Sequence, residues 1–101
     1  MIYEIPLTPI PAQLVAVVIG DHAFEIEVRQ VGSSLYTSTR IDGEQITRNV
    51  RATAFGSITP WADSRVPLEI CWQDTQGEEP PQYDGLGSRW VLAYEVEDNA
   101  E

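Results

Sequence analysis

Ala23-Phe24-Glu25-Ile26-Glu27-Val28-Arg29-Gln30, residues 23–30, is the stretch that decides the fold. Phe24, Ile26 and Val28 take alternate positions, and Glu25, Glu27 and Arg29 the positions between. A period of two gives a pleated strand one apolar and one polar face, whereas a helix would scatter the same residues around its circumference. Upstream, residues 13–19 (Gln-Leu-Val-Ala-Val-Val-Ile) are almost continuously apolar and β-branched, which predicts a strand covered on both faces. Gly20-Asp21-His22 between the two reads as a turn, so the strands are expected to pair.

Downstream, Gly32-Ser33-Ser34 breaks the chain, and residues 35–41 resume with tyrosine and threonine, which suit a pleated surface. Asp42-Gly43 follows directly and predicts a type I′ hairpin, with residues 44–50 as the returning strand. Residues 51–66 are irregular, with room for a short helical turn. In residues 68–73, Leu68, Ile70 and Trp72 share a face, and Pro67 puts the start of that strand on a sheet edge. A polar loop spans residues 74–82. Residues 88–96 form a last strand with Trp90, Leu92, Tyr94 and Val96 on one face. Pro6, Pro9 and Pro11 hold the first segment extended. The expectation is all-β, with five or six strands in a small antiparallel β-barrel or β-sandwich. Residues 1–11 are an extended N-terminal arm, residues 12–97 a single β domain and residues 98–101 a short acidic tail.

The chain has 101 residues, enough for one hydrophobic core. Sixteen acidic residues face six basic ones, all arginine, for a formal net charge of −10. An anion of that size is repelled by duplex nucleic acid and by anionic lipid, so neither is expected as a partner. The lack of lysine removes P-loop and Schiff-base chemistry. Cys71 is the only cysteine, which excludes an intramolecular disulfide and suits a reducing compartment. The first residues have no basic n-region, and their prolines interrupt any h-region, so a secretory leader is not expected.

Side chains with catalytic potential are present but not in a catalytic pattern. Glu25 and Glu27 lie two apart on one strand face, roughly 7 Å from each other, a separation inverting glycosidases use. A polar strand face produces that pair automatically. The loop acids Asp74, Glu78, Glu79 and Asp84 lack calcium-loop spacing and read as solvated. His22 and Cys71 are too few for a zinc site. No catalytic residue, metal site or cofactor is expected. The aromatic residues leave room for a small β ligand-binding module for carbohydrate or peptide. Trp72 and Trp90 follow the inward pattern and are assigned to the core, and Trp61, beside Pro60, to a contact surface.

Two stretches at opposite ends carry a resemblance: Tyr3-Glu4-Ile5-Pro6-Leu7-Thr8-Pro9, and Tyr83-Asp84-Gly85-Leu86-Gly87 leading into Ser88-Arg89-Trp90-Val91-Leu92-Ala93-Tyr94. Together they resemble the baseplate plug family of contractile-tailed bacteriophages and related prophages. The resemblance implies a non-catalytic structural subunit of the virion tail baseplate, made in the host bacterial cytoplasm. It further implies a symmetric homo-oligomer near the central axis, in contact with hub, spike or tail-tube-like proteins. Tyr3, Ile5, Leu7, Trp61, Tyr83 and Leu86 are the expected assembly contacts. Gly85 and Gly87 are expected to supply positive φ for the turn that aims Trp90 at the core. The N-terminal arm can add to a neighbour's sheet edge or pack on its own domain. On the first reading, deletion of residues 1–11 leaves a folded monomer that no longer assembles.

Overall fold

A computed structural model describes residues 2–59 and 68–95. Seven strands lie among them: β1 (Ile2–Ile5), β2 (Ala12–Ile19), β3 (His22–Val31), β4 (Ser34–Ile41), β5 (Glu44–Arg51), β6 (Ile70–Asp74) and β7 (Trp90–Glu95). They form two antiparallel sheets, one in the order β2-β3-β4-β5 and the other β1-β7-β6. The only helical element among the described residues is a single 3-10 turn, Tyr83–Gly85.

The four-stranded sheet is a meander. Its turns need little chain because each places a residue where positive φ is cheap. Asp42 and Gly43 have φ of 52° and 84°, both positive as the type I′ reading requires. His22 is not part of the first turn: it opens β3 opposite Ile19. The alternation of residues 23–30 holds, with Phe24, Ile26 and Val28 buried and facing the second sheet. In β4 the inward positions are Leu35, Thr37, Thr39 and Ile41, all buried. Asn49, at φ 52°, accompanies a register shift in the β4–β5 ladder, and its backbone N–H donates to Ser38 Oγ.

Trp72, Ile70 and Leu92 of the second sheet close the core against Ile26, Val28 and Leu35 of the first, so Trp72 and Trp90 are interior as expected. The architecture is a two-sheet sandwich. The sequence expectation differs from it at β2. β2 is not covered on both faces: Val15, Val17 and Ile19 point to the core, while Leu14 and Val18 are 67% and 71% exposed. Of the two readings of the extended N-terminal segment, within this chain the structure has the one in which it packs on its own domain. Residues 2–5 precede the first proline, keep every backbone N–H, and pair with β7 in the register Ile2↔Glu95 to Ile5↔Leu92. The acidic tail, residues 60–66 of the irregular segment, and Trp61 lie outside the described residues.

Candidate assembly surface

The two terminal motifs meet in space. β1 is the edge of the three-stranded sheet, and Tyr3 stacks on Tyr94 of β7 with ring centroids 5.5 Å apart. After Pro6 the chain is held by Gln13, whose side-chain amide accepts from Thr8 N and donates to Thr8 O at 2.6 Å. Leu7 packs against the core, and its carbonyl lies against Gly87 so closely that a Cβ on Gly87 would come within 2.5 Å of the oxygen. Gly87 thus needs its hydrogen twice, for φ of 86° and for this approach. Gly85 does not have positive φ. Its role is space, because a Cβ there would collide with the six-membered ring of Trp90.

The turn is fixed to the other sheet by Gln30. Its side chain accepts from Tyr83 N at 3.0 Å and donates to Gln82 Oε1 at 2.9 Å, while Gln82 Nε2 donates to Ser33 O. The loop before the turn is locked as well. Asp74 was expected to be solvated, yet its carboxylate accepts two hydrogen bonds from Arg89, at 2.8 and 2.9 Å, and one each from Gln76 N and Glu79 N. The Arg89 hydrogen bonds, helped by the two backbone donors and opposed by desolvation, hold the Asp74 carboxyl well below the usual carboxylate range. The guanidinium also lies 4.5 Å from the Trp90 ring centroid, and Trp90 Nε1 donates to Glu79 O. The partner of Asp74 is 15 residues away, which loop composition could not reveal.

Of the expected contact residues, Ile5 and Leu86 are interior, at 2% and 1% exposure, because inward strand position and the 3-10 turn direct them into the core. Leu7 is half-buried, and Tyr3, beside Tyr94 late in β7, and Tyr83, in the turn before β7, are both exposed. Leu14, Val18 and Ile2, all about as exposed as Val18 at 71%, were missed. For Leu14 and Val18 a signal existed, since they share the outward parity of a strand whose other parity is inward.

Among the described residues, chemical groups do not converge. Glu25 and Glu27 do share the outer face of the four-stranded sheet, but there they sit among Arg29, Arg40 and Arg48 in an open hollow of about 590 Å³. Arg40 contacts Glu25 at 3.4 Å. His22 Nδ1 lies 2.7 Å from Asp42 Oδ2, and Asp42 also accepts from Ala23 N, the bond that most lowers its pKa. Burial, with Glu69 nearby, pushes the Cys71 thiol up, away from the reactive thiolate. Among the described residues no three His, Cys, Asp or Glu side chains gather as metal ligands.

The geometry therefore defines a class: a small β-sandwich whose notable features are open strand edges and broad exposed faces. The family model for the cyanophage baseplate Pam3 plug gp18 matches residues 2–97, and the chain belongs to that family. It is a structural component of a phage tail baseplate. A comparison with curated proteins found no match.

Proposed function

We propose that the protein is a non-catalytic plug subunit near the central axis of a contractile-tail baseplate. It acts by stoichiometric, symmetric association with hub, spike or tail-tube-like proteins, and it is made in the host bacterial cytoplasm. The observation that carries this reading beyond the family is that two of the edge strands, β1 and β2, have outer edges that no described residue pairs. They bear Ile2, Tyr3, Leu14 and Val18, exposed at 68%, 43%, 67% and 71%. An open edge with apolar side chains invites another chain, and soluble monomers normally blunt such edges with charge or proline. Tyr3, Leu7 and Tyr83, in the two terminal motifs, are further proposed contacts. Trp61 is a further proposed contact.

Native mass measurement of the protein co-purified with the hub proteins of its own baseplate tests the proposal. A complex with fixed, symmetric copy numbers is expected. A protein that stays apart from every hub and tube component under assembly conditions would refute it.

A further inference from the structure

The two outer faces of the sandwich differ in charge. On the four-stranded sheet, the hollow holds three arginines, Arg29, Arg40 and Arg48, against two glutamates, on a chain whose net charge is −10. Arg48 has no ion-pair partner among the described residues, and it is exposed. Beside this cationic patch, on the same face, runs the uncovered apolar row Leu14, Ala16 and Val18. The other outer face, on the three-stranded sheet, carries Glu4 opposite Ala93 and Ile2 opposite Glu95. A second open hollow there, of about 310 Å³, is lined by Ile2, Glu69 and Glu95 and, among the described residues, by no basic one. Glu4, Glu69 and Glu95 also have no ion-pair partner among the described residues.

We infer that copies of this chain associate head to tail, the arginine-bearing face of one protomer covering the glutamate-bearing face of the next. The inference rests on the plug reading above and names the surfaces that would build its symmetric oligomer. Opposite signs on opposite faces suit a heterologous contact, since a two-fold contact would set like charges against each other. The apolar residues match too: Leu14 and Val18 on one face meet Ile2 on the other. DNA and anionic lipid fit this chain poorly, because the charge outside the patch is more negative than the whole. An acidic protein surface fits, and the chain carries one of its own. Charge complementarity of this kind selects the partner and fixes its orientation, while the apolar residues supply cohesion.

Sedimentation of the purified full-length protein across a concentration series decides the matter. Species larger than the monomer are expected, dissociating as salt rises and the Debye length shortens from about 10 Å at 0.1 M. Arg48→Glu and Glu95→Arg, both at exposed sites, should each weaken self-association about tenfold or more. Mixing the two variants should restore a heterodimer, because one pairing of their faces is the native one. A strict monomer at all concentrations, self-association indifferent to both reversals, or no gain on mixing would overturn the inference. Should Arg48→Glu instead abolish hub binding by a monomer, the face belongs to another baseplate protein. In that case only the head-to-tail contact fails, whereas loss of hub association by the unaltered protein would be the failure of the plug reading itself.

Discussion

Replacing Ile5 and Tyr3 separately by alanine distinguishes a segment that belongs to its own sheet from an arm that serves a neighbour. Both residues lie on β1 and point the same way. Ile5, opposite Leu92, is 2% exposed, whereas Tyr3 is 43% exposed and stacks on Tyr94. Ile5→Ala deletes fully buried methyl and methylene groups beneath two sheets, a change that costs about 2–5 kcal/mol. Tyr3→Ala removes one partly solvated aromatic pair, about 0.5–1.5 kcal/mol. With a urea slope of about 1.5 kcal/mol per M for a domain of this size, a 3 kcal/mol loss lowers the midpoint by about 2 M. The tyrosine variant should move it by less than about 1 M. Tryptophan fluorescence is a direct readout, since Trp72 and Trp90 are 1% and 6% exposed and unfolding brings both into water. Tyr3→Ala should reduce hub association at temperatures where it is fully folded. An unchanged midpoint for Ile5→Ala together with lost assembly would show that β1 leaves its own sheet to bind a partner, and the present account of the N-terminus would fall.

Gly85→Ala tests the reading of that glycine as space for Trp90. Overpacking against the indole should cost about 1–3 kcal/mol in thermal or urea unfolding; a neutral result would mean that the turn, not the ring, sets the residue. Acid unfolding probes Asp74 and Asp42. Both have folded-state pKa values below the ordinary 3.8, so the unfolded chain takes up their protons first. Their contribution to stability is complete above the ordinary value and is lost as pH falls through the folded values. Asp74→Asn should therefore lower stability at pH 7 and flatten its decline below about pH 5. An acid limb as steep as that of the unaltered protein would show that the Arg89 pair does not govern it.

How much of this was legible in the sequence depends on the distance over which each decision is made. The alternation of residues 23–30 and the Asp42-Gly43 turn are settled by neighbours, and both hold in the structure. The inward tryptophans are equally local, because strand parity alone aims Trp72 and Trp90. The fate of Asp74 is settled by Arg89, on the far side of a loop, and a count of acids cannot tell a solvated carboxylate from one with four hydrogen-bond donors. Ile5 and Leu86 lie in the family motifs, which is why the sequence points to them as contacts. A motif records that a residue matters, and burial shows here that these two matter for folding.

β2 is the most instructive case. Its unbroken apolar run predicts cover on both faces, yet within one protomer it is an edge strand with Leu14 and Val18 uncovered. The sequence pattern predicts apolar side chains on both faces, and only the inner face is covered within the chain. A strand of an isolated antiparallel sheet has no need of aliphatic side chains on its wet face, as β3 shows by placing Glu25, Glu27 and Arg29 at the matching positions. In the head-to-tail contact proposed above, burial in the next protomer gives Leu14 and Val18 the second cover that their chemistry calls for. The neighbouring arginines then set which face of that protomer supplies it, so that apolar excess and charge asymmetry become two consequences of one interface.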